Sequence, residues 1–479
     1  MEINLAIDVK KERVILAESN SDFIDVLFSF LTLPLGTIVR ILEKQSSLGC
    51  MDRLYDSVQK LDIDYFSTEA CKTMLLAPRS LSDLRCEDLK IRPNDSYPRS
   101  IYICETPDCF YRGIKACSRE PHTMCSQCGH TMTHYYSSID RIACEFHVDK
   151  EKDHIIAKEK KEENGGVFVV KGGRFLVTDD LYVMQSSTKN TLAEMKKHGI
   201  ETFDSCPLEQ RKVTLQRSTV LDILKNSLAG SKTVLTNVFL KERKLEQNGN
   251  GEAALEEISR NISPLSHLRK SRPQQITVKL QRNKTNGDIV YVEAGADLVD
   301  YLFSFLTLTL GSVVNLSDGV SGIGSIDNLY QSVRELHYLY KCIKSKQCLW
   351  DLTLPIVASH YRSDNQLLKI GEDYWFYLRV FPRGAASNSE MSMMTLVDPK
   401  SPVCDSKAWD IMKKSNILHL DDMEEETITL GEAEAQPRLQ HSSVPDYRGA
   451  ANGDMRLTSQ SLHEHAHTIV VVLQMGTCA

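Results

Sequence analysis

One stretch of sequence occurs twice in this chain and decides how the rest is interpreted. Residues 22–36 read DFIDVLFSFLTLPLG, and residues 297–311 read DLVDYLFSFLTLTLG. The similarity extends without a gap over residues 18–61 and 293–336, and 21 of these 44 positions are identical. Unrelated segments do not reach that level over such a length, so the sequence predicts an internal duplication.

A β-hairpin is expected to open each copy. In the first copy, apolar residues alternate with polar ones from Ile3 to Ile7, and the chain returns at Val14 after a charged turn. In the second copy, alternation from Ile276 is broken by Asn286-Gly287. Alternation interrupted by Asn-Gly is typical of a hairpin with a tight turn.

Three helices are expected after each hairpin. The first begins near Asp22 or Asp297, where an acidic side chain suits the helix dipole. Glycine marks the corner into the second helix in both copies. The third helix is predicted over Met51–Leu61 and Ile326–Leu336, because apolar residues there recur at helical spacing.

The predicted fold class is α+β, with two tandem repeats. The length of 479 residues is enough for two or three domains with their own cores. Polar, mixed composition marks a linker and a disordered tail. The predicted boundaries are a first repeat over 1–240 with a zinc-ribbon-like insertion at about 100–145, a linker over 241–275, a second, divergent repeat over 276–420 without a metal site, and a disordered tail over 421–479.

Composition and charge exclude several classes of protein. Hydrophobic residues make up 42% of the chain and charged residues 25%, which is typical of a globular protein. The net charge is −7, which removes the usual electrostatic reason to expect a dedicated nucleic-acid binder. The N-terminus lacks the basic and apolar regions of a secretory signal, so an intracellular protein, cytoplasmic or nuclear, is expected.

The most apolar segment is not expected to cross a membrane. Residues 23–42 include Asp25 near the start and Pro34-Leu35-Gly36 in the middle. A spanning helix needs about 20 mostly apolar residues without such interruptions. Two buried helices joined at a Pro-Gly corner are predicted instead.

Four cysteines have the spacing of a zinc site. Cys104 and Cys109 form one pair, and Cys125 and Cys128 form a second pair, with 15 residues between the two pairs. Each short loop can place two sulfurs on one side of a tetrahedron, and in a reducing compartment clustered cysteines bind metal more often than they form disulfides. Gly129 follows the second pair and permits a tight turn. The predicted ligands are therefore Cys104, Cys109, Cys125 and Cys128.

The predicted zinc is structural, because four thiolates close the coordination shell and leave no open position for a substrate. No catalytic or cofactor-binding residue is assigned. The second copy has no cysteine pair at ligand spacing. The alternative interpretations of the cluster are unligated thiols, a redox pair or haem attachment. The alternative ligands are Cys117, His122, His130, His134 and Cys144.

Other polar groups are assigned structural roles. Asp179 and Asp180 resemble a catalytic carboxylate pair but follow a predicted strand, which favours a helix cap. Asp22 and Asp25 lie three residues apart and share a helix face, so capping and helix contacts are expected of them. A further hairpin is predicted between residues 167–170 and 174–177.

Several segments carry a family resemblance, namely residues 22–36, Leu54-Tyr55-x-Ser57, the cysteine pairs, GGVFVVKG at 165–172 and FLVTDDL at 175–181. Together they resemble a plant family known as domain of unknown function 674. The resemblance covers residues 1 to about 240 well and the second copy mainly over 276–336. It implies a plant origin and tandem copies, and it implies no activity or substrate.

The leading hypothesis is a non-enzymatic, intracellular interaction or scaffold protein with a structural zinc site and unidentified protein partners. One alternative is zinc-dependent nucleic-acid binding. Between Tyr97 and Arg141, however, five Lys or Arg face four Asp or Glu, so the local charge is only +1. The other alternative is an enzyme with an unrecognised cleft between the repeats.

Overall fold

The computed structural model contains both helices and strands, in agreement with the predicted α+β class. It describes residues 1–94, 101–106, 110–111, 114–126, 128–136, 141–145, 166–200, 208–240, 276–283, 289–363, 367–368, 370–372, 377–381, 392–398, 400, 423–430, 453–458 and 469–475. The predicted linker over 241–275 lies outside the described residues.

The strands of the described residues are distributed over most of the chain. In chain order they are β1 (Glu2–Asp8), β2 (Arg13–Asn20), β3 (Ile101–Ile103), β4 (Phe110–Tyr111), β5 (Ile114–Ser118), β6 (His134–Tyr136), β7 (Arg141–Glu145), β8 (Arg174–Thr178), β9 (Val183–Gln185), β10 (Leu208–Thr214), β11 (Ile276–Asn283), β12 (Ile289–Ala294), β13 (Ile356–Val357), β14 (Gly371–Glu372), β15 (Tyr377–Phe381), β16 (Ser392–Leu396), β17 (Met423–Leu430), β18 (Gly453–Thr458) and β19 (Ile469–Met475).

The α-helices follow the hairpins in both copies. They are α1 (Ser21–Ser29), α2 (Leu35–Ile41), α3 (Met51–Lys60), α4 (Glu69–Leu76), α5 (Asp83–Cys86), α6 (Thr188–Lys197), α7 (Arg217–Leu228), α8 (Val234–Phe239), α9 (Ala296–Ser304), α10 (Leu310–Leu316), α11 (Gly324–Tyr338) and α12 (Lys346–Thr353), with 3-10 turns at Phe30–Thr32, Ile63–Tyr65 and Phe305–Thr307.

The first sheet has the strand order β10-β1-β2-β8-β9. The predicted hairpins β1–β2 and β11–β12 are both antiparallel, so that expectation is confirmed. The predicted hairpin between 167–170 and β8 is wrong, because β8 pairs with β2 and β9. Val169 instead forms a bridge with Ile343 of the second copy. The local pattern of apolar residues did not indicate Ile343 as the partner of Val169, because it lies 174 residues further along the chain.

The repeated apolar motif forms the centre of the molecule. Every residue from Phe23 to Val39 is buried. Pro34, at the predicted corner, has an extended backbone and is the N-cap residue of α2. The two predicted buried helices joined at this corner are confirmed. Among the described residues, no helix combines the length and the apolar character that crossing a bilayer requires.

The two copies meet at their corners. Pro34 forms an antiparallel bridge with Thr309, its aligned partner in the second copy. The backbone N–H of Leu35 donates to the carbonyl of Leu308 at 2.8 Å, and that of Leu310 donates to Leu33 at 3.1 Å. One continuous hydrophobic core contains buried residues of both copies. The corners are therefore in contact rather than held apart by a linker.

Two further sheets combine distant parts of the chain. One has the order β17-β11-β12-β19-β18, so strands from 421–479, whose composition predicts disorder, lie beside the second hairpin. The other has the order β6-β3-β5-β16-β15-β7, with β4 paired to β5. In that sheet β5, from the cysteine-bearing segment, runs parallel to β16. The cysteine-bearing segment thus joins strands of the second copy.

Candidate metal centre

Cys104 lies directly after strand β3. The strand alternates buried and half-buried residues, and its antiparallel pairing with β5 continues one residue further, where the Cys104 N–H donates to the Ala116 carbonyl at 3.1 Å. This backbone bond fixes the Cα position of Cys104. Its side chain is 3% exposed, so the thiol faces the protein interior.

Cys125 and Cys128 lie in a tight turn. The Cys125 N–H donates to the carbonyl of His130, and the Gly129 N–H donates back to the carbonyl of Cys125, both at 2.9 Å. Gly129 has a φ of +72°, a left-handed conformation that glycine adopts without steric cost. The Cys-x-x-Cys-Gly sequence therefore closes on itself and directs two thiols to the same side.

The sulfurs of Cys104, Cys125 and Cys128 all lie within 4.8 Å of one another. The Cys104 and Cys128 sulfurs are 3.5 Å apart, and both thiols also contact the Thr106 hydroxyl, at 3.5 and 3.6 Å. Tetrahedral zinc with sulfurs at about 2.3 Å separates neighbouring sulfurs by a little under 4 Å. The arrangement could therefore hold a metal ion. Thr106 was not foreseen; its only signal in the sequence is its place two residues after Cys104.

The remaining predicted ligands fall into separate groups. Cys109 and the side chains of His134 and Cys144 lie outside the described residues. Cys117 is fully buried on β5 but is not part of the cluster, and burial raises the pKa of its thiol to about 12. The structure does not bring His122 or His130 into the cluster either, since His122 lies 3.6 Å from Glu69 and His130 is exposed.

A buried carboxylate lies close to this segment and was missed by the sequence analysis. Glu120 is 3% exposed, forms an ion pair with the Arg79 Nε at 3.3 Å and accepts a hydrogen bond from the Tyr361 hydroxyl. Burial raises the pKa of Glu120, and the positive charge of Arg79 opposes that rise. Since Tyr361 belongs to the second copy, 241 positions away, sequence spacing carried no signal for this contact.

The same groups line a small cavity between the first copy and the second. Its lining includes Arg79, Ser118, Arg119, Ala358, His360 and Val397.

The aspartates expected to act as helix caps do not line this cavity. No helix begins at Asp179, which lies in the turn between β8 and β9. Its carboxylate instead accepts the Thr236 N–H of the first turn of α8 at 2.8 Å.

Comparison with protein families identifies the family of this chain. The family model described as protein of unknown function (DUF674) matches residues 1–433. The chain belongs to the DUF674 family. No curated protein matches the chain, and no solved structure matches it.

The DUF674 match includes both copies of the apolar motif and all four predicted metal ligands, since it covers most of the chain. The family assignment expected from the motifs is thereby confirmed. The family description of DUF674 assigns no activity. The evidence for the chemistry of this chain therefore comes from its own residues.

Proposed function

We propose that this protein is a non-enzymatic interaction protein whose cysteine-bearing segment is held by one structural zinc ion. The observation that carries the proposal is the convergence of the Cys104, Cys125 and Cys128 sulfurs within 4.8 Å. Cys109 supplies the fourth thiolate. Four cysteine ligands are typical of structural zinc, which contributes directly to folding free energy.

The local environment favours a stabilising role for the metal. Cys104 and Cys125 pack in a small apolar cluster with Ala116, Met132 and Val397. Val397 comes from the second copy, and its N–H donates to the Cys117 carbonyl at 2.8 Å. A metal at the three sulfurs would therefore link the end of β3 to the Cys125–Cys128 turn, close to the residues that contact the second copy. Its removal should loosen contacts between the copies.

Thr106 supports thiolate ligation. A hydroxyl that contacts two ligand sulfurs can donate to either sulfur once the thiols lose their protons. The Gly129 turn leaves little freedom at Cys125 and Cys128, because its two backbone bonds close a short loop. A preorganised pair of thiols reduces the entropy cost of binding the ion.

The tandem-repeat organisation is part of the same proposal. The nine-residue helices α1 and α9, the 3-10 turns after them and the seven-residue helices α2 and α10 occupy positions that the sequence repeat aligns with one another. We attribute this to duplication of one ancestral unit. An intracellular location and a plant source complete the proposal, and both rest on sequence features and resemblance.

The zinc proposal is tested by metal analysis of the purified full chain. We expect about one zinc per chain by inductively coupled plasma mass spectrometry, and loss of that zinc in Cys125→Ser with Cys128→Ser. Cys117→Ser is the matched control, because Cys117 is a buried thiol of the same segment outside the cluster. Metal-free protein with the melting temperature of the metal-loaded protein would refute the structural role.

A further inference from the structure

Exposed apolar side chains concentrate at two places in the described residues. Large hydrophobic side chains there are mostly buried, and the exposed ones include two short runs. Five of the nine exposed large hydrophobic residues belong to these runs, namely Ile63, Tyr65, Tyr338, Leu339 and Tyr340, with exposed fractions of 38 to 70%. Contiguous exposed apolar groups mark interaction sites more often than scattered ones.

The two runs occupy equivalent positions of the two copies. At the offset of the repeat, Ile63 aligns with Tyr338 and Tyr65 aligns with Tyr340. The first run follows α3 and the second begins at Tyr338, the last residue of α11. The aligned residues Leu61 and Leu336 just before them are buried. Each copy thus buries one leucine and then exposes large apolar side chains, two in the first copy and three in the second. A feature that both copies share, although the flanking residues differ, points to a common use.

The first run is acidic. Asp62 and Asp64 are exposed on either side of Ile63. The nearby cations are engaged within the protein, since the Lys60 ammonium lies 2.5 Å from Asp56 and the Lys72 ammonium donates to the Leu61 carbonyl at 2.6 Å. We name residues 62–65 the acidic surface.

The second run is basic. Lys341 follows Tyr340 directly, and no Asp or Glu occurs between residues 336 and 350. The Val170 N–H donates to the Cys342 carbonyl at 2.9 Å, which brings exposed Val170 and Lys171 to the same edge. We name residues 338–341, together with Val170 and Lys171, the basic surface.

We propose that the acidic surface of one molecule binds the basic surface of a second copy of this chain. This names the partner of one interaction face and deepens the proposed interaction function, on which it rests. Both surfaces supply apolar area, and their charges are opposite, so the contact gains from burial and from electrostatic complementarity. Because each molecule carries one surface of each kind, two molecules can form the contact reciprocally in a two-fold dimer, or each molecule can bind two others in a ring or chain.

The assembly state of the metal-loaded full chain tests the proposal. Sedimentation velocity at increasing concentration should show species larger than a monomer, with an average mass that rises with concentration. Raising the salt from about 50 mM to 500 mM should reduce that mass, because salt screens exposed charges. A monomer under all of these conditions overturns the proposal.

Charge reversal distinguishes this contact from non-specific association. Asp64→Lys and Lys341→Asp should each reduce self-association at least tenfold, because each places like charges opposite one another. The double variant restores opposite charges and should recover association to within about threefold of the wild type. Aspartate tolerates the left-handed conformation of Lys341, whose φ is +52°. Failure of the double variant to recover overturns the proposed pairing.

Variants of the exposed apolar side chains test their contribution to self-association. Tyr338→Ser with Tyr340→Ser should weaken self-association, whereas Leu192→Ser, at an exposed leucine of α6 outside both surfaces, should leave it unchanged. Circular dichroism and zinc content are measured on the same samples. Charge-dependent assembly in protein that binds no zinc would overturn the metal proposal alone, and zinc-loaded protein that stays monomeric would overturn the self-association proposal alone.

Discussion

The carboxylate of Asp25 accepts a hydrogen bond from the backbone N–H of Val167 at 2.7 Å. Its other oxygen accepts from Phe168 and Val169 at 2.8 and 2.9 Å. Asp25 is buried in α1 and thus holds a segment that lies more than 140 residues further along the chain. This segment in turn exchanges backbone hydrogen bonds with the second copy, since the Lys344 N–H donates to the Phe168 carbonyl at 2.9 Å. One side chain of the repeated motif therefore organises a connection between the copies.

At pH 7, where Asp25 is ionised, Asp25→Asn is expected to lower the free energy of unfolding by about 2 to 3 kcal/mol. An asparagine amide in place of one carboxylate oxygen would set an N–H against a backbone N–H and leave a buried donor unsatisfied. Asp300→Asn, at the aligned but exposed position of the second copy, is the control and should change stability by less than about 0.5 kcal/mol. Urea denaturation of both variants measures the difference, and equal effects would contradict the role assigned to Asp25.

The stability of the protein should depend on pH through Asp25. Burial raises the pKa of this carboxyl to about 6, from 3.8, although three backbone N–H groups oppose the rise. The folded chain therefore binds the proton more tightly than the unfolded chain, and the resulting stability is complete below about pH 4 and is lost as the pH rises through 6.

The asparagine side chain cannot titrate, so Asp25→Asn isolates this contribution. The wild type minus Asp25→Asn difference in unfolding free energy should fall by about 2.4 kcal/mol between pH 4 and pH 7, since the pKa is about 6 in the folded chain and 3.8 in the unfolded one. Urea denaturation at a series of pH values gives the difference directly, and other buried carboxyls such as Asp83 cancel because both proteins contain them. A difference that stays constant over this range would show that Asp25 keeps an ordinary pKa.

Gly311→Ala is expected to destabilise the protein more than Gly36→Ala. A Cβ at Gly311 would lie 2.1 Å from the Leu352 carbonyl oxygen, whereas one at Gly36 would lie 2.9 Å from that of Leu75. Both would also lie 3.1 Å from a carbonyl of the opposite copy, so neither backbone can shift freely. Overpacking of this kind costs about 1 to 3 kcal/mol.

Gly324→Ala is the control for the glycine series, because no heavy atom lies within 4 Å of a Cβ built there. It should be neutral or stabilising by up to about 1 kcal/mol. Thermal denaturation followed by circular dichroism ranks the three variants. If Gly311→Ala melted at the wild-type temperature, the close approach of Gly311 to the Leu352 and Leu31 carbonyls would be wrong.

Leu31→Ala in the first copy should destabilise the second copy as well. Leu31 and its aligned partner Leu306 are fully buried in the shared core, and loss of a buried leucine side chain costs about 2 to 5 kcal/mol. All three tryptophans, at positions 350, 375 and 409, lie in the second half of the chain, so tryptophan fluorescence reports on that half. The fluorescence midpoint in urea should fall together with the far-UV circular dichroism midpoint. An unchanged fluorescence midpoint would indicate two independently folding halves.

Local elements were predictable because their signals lie within a few residues of one another. Alternating apolar residues identified the hairpins, and the 3.6-residue period identified the third helix, which the structure places at Met51–Lys60 and Gly324–Tyr338. The spacing of Cys125 and Cys128 identified the turn that brings two thiols together. In each case the backbone geometry follows from propensity and period over a short window.

Long-range partners were not predictable in this way. Nothing near Val169 in the sequence indicates Ile343, and nothing near Glu120 indicates Tyr361, because a single sequence does not encode which distant edges meet. Strand β10 has mostly exposed, polar residues and gave no apolar alternation, yet it pairs along its whole length with β1. Only the tertiary structure shows that β1 is the partner of β10.

By itself the sequence determined the α+β class, the hairpins and the helices that follow them, and it indicated a duplication and the cysteines that could hold a metal, since all of these follow from residue type and spacing. Only the tertiary structure decided that the corners at Pro34 and Thr309 bridge and that both copies share one core. The physical reason is that the hydrophobic effect is not directional, so it does not by itself select a packing partner. The buried motif requires a partner, and shape and backbone hydrogen bonding select the other copy.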